Sequence, residues 1–535
     1  MAAEHFDVAV AGGGPAGSTA ATLLARQGYR VVLLERDRFP RPHIGESLLP
    51  ASLPVLEVLG VHEQVRAAGF LPKPGATMVW GTSREPWTWL FRETNATYPH
   101  AYQVVRSTFD EILLRNAEQS GVDVREGCRV TGVDGLDGEP VINFAGEHSG
   151  DLDCRFFVDA SGQQGLLGRQ LNLRVDDESF RNLALYRYFS GGERLTGAAE
   201  NTILIESFDE GWSWLIPLHT GEVSVGVVVA SDRGQETIRE LGPEGAFGRY
   251  LARADRTPAM LSSAAPVSEV QVVRDWSYAA SRFAGESWVM TGDAACFIDP
   301  LFSSGVHLAL SSGVMAAAYV TTAFKNPGLK DAAAAAYESL YRQQYGHFRE
   351  MARLFYASNS SVDSYFWEAR KITGDELSDP REAFVRAVAG QPPIGYERVV
   401  LERGDAPPAF RDAVKSVESE RARRIRETGD IQVLRTRAPA LEPGLKLEQA
   451  AVLGEGQFEP GYLLRRDTGD PGTPVSGVVA AALARADGTS TIEAIAAAVA
   501  EGSNREVAAT ITETVVAAFR ILYVDGIVRE LRVEA

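Results

Sequence analysis

The chain is 535 residues long, 45% hydrophobic and 23% charged, with a formal net charge of −18. Its length is a prior of three or four domains, and its composition is that of an ordinary globular protein. The negative balance argues against nucleic-acid phosphates and against an anionic membrane surface as partners, since both attract clustered positive charge.

No positively charged segment followed by an apolar run opens the chain, so the expectation is a cytoplasmic protein without a signal peptide. Phe6–Ala11 reads as a buried strand and runs into Gly12-Gly13-Gly14-Pro15-Ala16-Gly17, a G-x-G-x-x-G match. Ser18–Gln27 reads as a helix and Arg30–Leu34 as a second buried strand, which ends at Glu35, 18 residues after Gly17. Gly12 permits the tight turn, Gly14 lets the backbone approach a pyrophosphate, and Gly17 allows close helix–strand packing. The helix N-terminus faces the phosphates with free N–H groups, and Glu35 can accept hydrogen bonds from a ribose. These residues in register predict a dinucleotide site.

A long excursion, Arg41–His100, then interrupts an otherwise alternating strand–helix pattern over residues 1–180. Phe39–Pro50 (FPRPHIGESLLP) leads into it, and it contains Leu71–Gly81 (LPKPGATMVWG), where Lys73 stands between prolines. Residues 182–280 are strand-rich, with alternation at Ser224–Ala230. Within them Gly211–Pro217 (GWSWLIP) places Trp212, Trp214 and Ile216 at spacing two, on one face of a strand that Pro217 stops. Trp288–Met290 is a short apolar strand followed by Thr291-Gly292-Asp293, a Gly-Asp pair suited to a flavin's polyol chain or to capping a helix. Phe156–Gly162 is another strand ending beside an Asp. Cys296–Leu308 (CFIDPLFSSGVHL) carries Ser303-Ser304-Gly305, a small polar turn opening a helix and a candidate anion nest. The apolar stretch around Val314–Phe324 is read as too short to span a bilayer, and Ala332–Phe355 as a helix. Three cysteines, Cys128, Cys154 and Cys296, are too few and scattered for a disulfide framework or a metal site.

Together the G-x-G-x-x-G, Phe156–Gly162 and Gly292-Asp293 segments resemble the FAD-binding signatures of the flavoprotein monooxygenase superfamily. The fold class this implies is an α/β FAD-binding fold of the p-hydroxybenzoate hydroxylase type, with a β-sheet substrate segment. The resemblance implies FAD as cofactor, held by Gly12, Gly14, Ala16, Gly17, Glu35, Arg106 in Gln103–Asp110, Asp293, Gly305 and Val306. GESLLP, the Lys73 segment, GWSWLIP and the Cys296–Leu308 motif, in this order, resemble the flavin-dependent halogenases, above all the chloramphenicol-pathway type. An FAD hydroxylase or epoxidase of the same fold is the alternative.

The halogenase resemblance implies that reduced FAD and O2 oxidise chloride or bromide to hypohalous acid. Ser304 and Gly305 would bind the halide, and Trp212, Trp214, Ile216 and Pro217 would wall the flavin off from substrate. Lys73 would be the catalytic amine, Glu46 an orienting acid or proton acceptor, and Tyr356 a weaker candidate, read more simply as a core residue. His307 is read as structural. The resemblance also implies a separate NAD(P)H-dependent flavin reductase and a small-molecule or carrier-bound substrate. One departure concerns the flavin: the chloramphenicol-pathway type attaches it through an Asp after Trp-Ser-Tyr, and here Ala279 follows Trp276-Ser277-Tyr278. FAD is therefore expected to be non-covalent.

The domain reading is a catalytic module over 1–370, a helical connector over 371–447 and a winged-helix-like unit over 448–535. Within the first, residues 1–180 and 285–370 bind FAD and 181–284 form the substrate sheet. The connector includes a charged helix at Ser416–Glu427. The last unit shows apolar helices at Ile492–Val499 and Ala508–Leu522 before a turn at Asp525-Gly526 and a strand at Ile527–Leu531. Ser476–Ala535 carries 5 basic against 8 acidic residues, which argues against DNA as its partner. The resemblance implies that this unit closes over the active-site tunnel.

Overall fold

The computed structural model describes residues 4–81, 84–357, 380–390, 423–424, 426–465, 472–524 and 526–533. The strand Glu4–Ala11, the helix Pro15–Arg26 (α1) and the strand Val31–Leu34 form the expected unit. The strands are buried on both faces, as parallel strands covered by helices are, and so read as unbroken apolar runs. The sheet runs in the order Asp123–Arg125, Val31–Leu34, Glu4–Ala11, Gly150–Asp159, Val141–Gly146, Cys128–Asp134. Gly150–Asp159 divides its second edge: its first half pairs antiparallel with Val141–Gly146, and its last three residues pair parallel with Trp288–Met290. The three cofactor segments thereby end side by side at one edge of the sheet.

The helix Arg106–Gln119 (α2) packs on α1, as does the helix Gly305–Lys325 (α3), which also packs on Lys330–Ala357 (α4). The expectation that the apolar stretch near Val314 is too short to span a bilayer needs correction. The helix begins upstream, at Gly305, and runs for 21 residues, so its length alone would suffice. It is instead a mostly buried core helix. Arg505–Val524 is also long and apolar enough, and less than a third of its apolar window is buried.

The second sheet has nine strands and is not the contiguous block expected from residues 181–284. It runs Cys296–Phe297, Gln271–Ala280, Arg174–Ser190, Glu222–Ala230, Gly211–Pro217, Ile203–Phe208, Gly75–Val79, Trp87–Leu90, with Ala265–Pro266 on Arg174–Ser190. The excursion at Arg41–His100 thus extends this sheet, because Gly75–Val79 pairs parallel with Ile203–Phe208. Leu71–Lys73 pairs with Ala101–Gln103 just outside it.

The C-terminal unit has its own core, in which Ile492, Val515 and Phe519 are buried with Leu434. Its boundary therefore lies before the expected 448, because Leu434 and the strand Arg437–Leu441 already belong to it. The hairpin Lys446–Leu453 and Phe458–Arg465 precedes the helices, and the last strand, Val528–Val533, returns to pair with Arg437–Leu441. Phe458 and Ala451 are buried in the catalytic core instead, with the Phe458 N–H donating to Thr322 Oγ1 of α3 at 2.7 Å. The expected connector helix at Ser416–Glu427 lies largely outside the described residues.

Candidate active site

A cavity of about 990 Å³ opens where the three cofactor segments meet the nine-stranded sheet. At one end lies the glycine turn. Gly12 sits at φ +105°, where a Cβ would stand 2.3 Å from the Ala160 carbonyl oxygen, so a side chain is excluded. A Cβ on Gly17 would lie 1.9 Å from the Gly12 oxygen, which fixes the close approach of α1 to the strand end. Gly14 differs: its Cβ position has nothing nearer than Arg41 Nη2 at 3.5 Å, and it lines the cavity. It also caps α1 without a side-chain hydrogen bond. The turn thus presents bare backbone to a ligand. Glu35 lines the same end, its carboxylate accepting from Gly13 N at 2.7 Å and Asp37 N at 2.8 Å.

Arg106 opens α2, is buried and lines the cavity. Its Nε and Nη2 pair with Asp110 at 2.8 and 2.9 Å, while Nη1 donates to the Ile44 carbonyl at 2.5 Å. One guanidinium thus ties the start of the Gly45-Glu46 loop to a helix. Glu46, also buried, accepts from the Tyr188 hydroxyl at 2.7 Å and from Gly45 N at 3.0 Å, with its side chain on the cavity wall. Burial and the Glu46 charge push the Tyr188 hydroxyl well above the usual phenol range. Asp293 lines the cavity beside Gly292, and burial pushes its carboxyl up to about 7 against the pull of Arg106. Asp159 closes the third segment by accepting from Ser161 N and Leu167 N at 3.0 and 2.8 Å.

The sheet side of the cavity is the strand Gly211–Pro217. Trp212, Trp214 and Ile216 face inward, as the alternation predicts, and Leu215 packs in a core on the other face. Pro217 ends the strand, buried but away from the cavity lining. Trp212 Nε1 donates to the Tyr356 oxygen at 2.5 Å, and Tyr356 donates to Asp299 Oδ2 at 2.7 Å. Asn182 Nδ2 donates to the same carboxylate oxygen at 3.0 Å, and burial raises the Asp299 pKa. The reading of Tyr356 as a core residue is corrected: it is 37% exposed and its hydroxyl links the tryptophan wall to a buried acid. Asp299 was legible only as part of the Cys296–Leu308 motif, and Tyr188 carried no local signal.

Gly305 and Val306, the first residues of α3, line the cavity, and so does Ser303. Ser304 does not; its Oγ is buried without a hydrogen-bond partner among the described residues. His307 is buried, and burial lowers its pKa to about 4, which keeps it neutral and fits the structural reading.

Lys73 is outside this cavity. Placed between prolines in the sequence, it is 1% exposed in the fold, at the end of Leu71–Lys73. Its Nζ donates to the Leu48 carbonyl at 2.9 Å and lies 5.5 Å from the centre of the Phe91 ring. Burial alone lowers its pKa to about 7. The space beside it, about 10 Å³, is lined by Leu49, Trp89, Phe302 and Val388, among others, and shares Ile203 and Ser303 with the large cavity.

The profile of the tryptophan halogenase family matches this chain over residues 7–98 and 92–406. The chain belongs to that family. It is similar to the "Tryptophan 2-halogenase" of Chondromyces crocatus, with 37% identity over 426 residues, 76% of this chain and 77% of the relative. It is similar, too, to the flavin-dependent halogenase armH3 of Armillaria mellea, with 38% identity over 411 residues, 72% of this chain and 81% of that one. Among solved structures, the myxobacterial chondrochloren halogenase CndH superposes with a TM-score of 0.63 at 39% identity, covering 76% of this chain and 93% of its own. CmlS, a flavin-dependent halogenase, reaches a TM-score of 0.69 at 29% identity and covers 99% of this chain and 98% of its own.

This protein is therefore a flavin-dependent halogenase, an FAD enzyme with halide as co-substrate, as its motifs predict. The bare glycine turn, Glu35, Asp293 and the size of the cavity suit FAD. Halogenases of this kind draw reduced flavin from a separate reductase.

Proposed function

We propose that the halogenase works in two chambers, generating hypohalous acid beside the flavin and delivering its halogen to substrate at Lys73. FAD, when bound and reduced, would activate O2, which supplies the oxidising equivalents. Chloride or bromide is held where a 21-residue helix begins, by the backbone N–H of Gly305, which lines the cavity, and that of Ser304 just behind the lining. Trp212, Trp214 and Ile216 keep an organic substrate out of the flavin cavity but leave passage for a small oxidant past Ile203 and Ser303. Oxygen insertion into the substrate, the alternative for this fold, is disfavoured by the same wall.

The observation that carries this reading is a buried amine with one hydrogen-bond acceptor, in a space that adjoins the flavin cavity. With its pKa lowered to about 7, a large fraction of Lys73 is neutral at physiological pH. A neutral amine can donate a hydrogen bond to hypohalous acid or take the halogen as a haloamine, its displaced proton leaving with the hydroxyl as water. Glu46, oriented by Tyr188, holds or returns a proton on the flavin side. The halogen leaves as an electrophile, so the substrate carbon is electron-rich or enolisable: a phenol, a pyrrole or an activated acyl group, free or tethered to a carrier. The experiment is product analysis with a flavin reductase, bromide and such substrates. Brominated product from wild type and none from Lys73→Ala with FAD still bound is expected; hydroxylated product without halide would overturn the proposal.

A further inference from the structure

The space beside Lys73 Nζ, about 10 Å³, admits a water molecule, whereas a cavity that holds benzene measures roughly 150 Å³. A substrate carbon can reach the amine only if part of the lining moves. Part of that lining is held in the nine-stranded sheet, where Ala76, Trp89, Ile203 and Ile205 lie on strands. Val388 differs. It ends a helix of nine residues, Pro380–Val388 (α5). Arg381 ties the start of that helix to Glu93 and to the Thr88 carbonyl at 2.7 Å each, and the Ala389 carbonyl just past its end accepts from Ala51 N at 3.3 Å.

One turn before Val388 on the same face stands Phe384, fully buried. Its ring lies edge-to-face on Trp89 at 5.0 Å and faces Trp87 at 5.6, Phe355 at 5.9 and Phe302 at 6.5 Å. Trp89 and Phe302 also line the Lys73 space. A single benzene-sized ring, supplied by the chain itself, therefore fills an aromatic box that shares the walls Trp89 and Phe302 with the Lys73 space.

We propose that α5 is a displaceable occupant of the substrate site. Phe384 holds the place of a planar substrate ring and Val388 covers Lys73, so substrate enters as α5 withdraws. The proposal rests on Lys73 as the residue that delivers halogen. It accounts for a buried amine that must nonetheless meet an organic molecule, and it selects substrates whose ring binds the box better than Phe384 does.

The test uses the FAD-loaded enzyme and p-cresol as the ring probe. Amide hydrogen exchange across residues 381–389 is expected to quicken on the order of tenfold when p-cresol binds, while α3 stays protected. Phe384→Ala, which removes the competing ring, is expected to bind p-cresol about tenfold more tightly than wild type, because the occupied state no longer reduces apparent affinity. Phe109→Ala, a buried ring removed elsewhere in the same domain, serves as the cavity control and should show no such gain. Unchanged or slower exchange in α5 with bound p-cresol would overturn the proposal, as would a Phe384→Ala affinity no better than the control's. Bromination of p-cresol by wild type, lost in Lys73→Ala, is recorded in parallel. Its absence would overturn the role of Lys73 itself, whereas its presence with α5 still protected would overturn the displacement alone.

Discussion

Ile203 and Ser303 are each shared by two spaces, the flavin cavity and the small chamber around Lys73. Ile203 opens a strand of the substrate sheet, and Ser303 precedes α3 of the flavin module, so the seam between the chambers is also the seam between the two layers. Enlarging Ile203, which lines both spaces, should block passage between them. In Ile203→Trp, reduced flavin is expected to be consumed at the wild-type rate while halogenated product falls by at least about tenfold, the lost oxidant appearing as peroxide or in a 1,3-dicarbonyl trap. Overpacking costs about 1–3 kcal/mol, so the melting temperature of the variant is measured alongside.

The role proposed for Lys73 predicts a pH dependence in a definite direction. With its pKa lowered to about 7, the neutral amine builds up as pH rises through 7, and halogenation per oxidised flavin should rise with it to a plateau. A flat profile from pH 6 to 9 would remove the neutral amine from the mechanism. Stability follows the same titration. The unfolded lysine keeps its proton up to about 10.4, so between the two pKa values the unfolded state binds more protons and stability rises with pH. Lys73→Met should therefore stabilise the fold most below pH 7, with the advantage fading as pH approaches that of free lysine.

The Tyr188–Glu46 hydrogen bond predicts a graded pair of variants. Glu46→Gln should retain FAD and lose on the order of 10²-fold or more in halogenation rate, the usual contribution of a positioned acid or base. Tyr188→Phe keeps the carboxylate but removes one donor to it, and should shift the pH profile with a smaller loss of rate. Equal losses in both, with no shift in profile, would make the tyrosine merely structural.

The glycine turn separates folding from cofactor binding. Gly12→Ala forces a Cβ to 2.3 Å from the Ala160 oxygen in a left-handed backbone, and the protein should misfold or lose stability sharply. Gly14→Ala has room, so it should fold normally and bind FAD more weakly. Equal flavin content in Gly14→Ala and wild type, measured by absorbance after gel filtration, would place the pyrophosphate elsewhere.

Ala279 predicts release of the flavin. Acid precipitation of the holoenzyme should leave all the yellow chromophore in the supernatant, since no carboxylate stands at that position to bond it. Flavin retained in the pellet would require another attachment residue. NADH added without a reductase should leave the bound flavin oxidised.

Much of the site was legible because it depends on local backbone. A strand that ends in Gly12 and a helix that starts at Gly14 need no distant partner to make an anion-binding turn, so spacing alone announced it. Trp212, Trp214 and Ile216 likewise share a face by the two-residue period of a strand. Lys73 was legible through resemblance only; between two prolines it looks like a solvated loop residue, and its burial comes from Leu48 and Phe91, well away in sequence. Tyr356 was read as core because a motif cannot show that Asp299, Asn182 and Trp212 converge on its hydroxyl. The substrate sheet was placed in the right region with the wrong membership, since parallel pairing of Gly75–Val79 with Ile203–Phe208 joins segments over 100 residues apart.

An acidic chain of 535 residues, with 71 carboxylate and 53 basic side chains, argued against nucleic acid as a partner, and its motifs determined the cofactor and the family. These are properties of local order: a turn, a strand period, a helix start. Tertiary structure alone decided that Lys73 is buried with a lowered pKa, that Ile203 and Ser303 join two chambers, and that Phe384 fills the aromatic box. Desolvation, shared walls and the filling of space depend on which distant segments pack together, and a linear pattern does not carry that information.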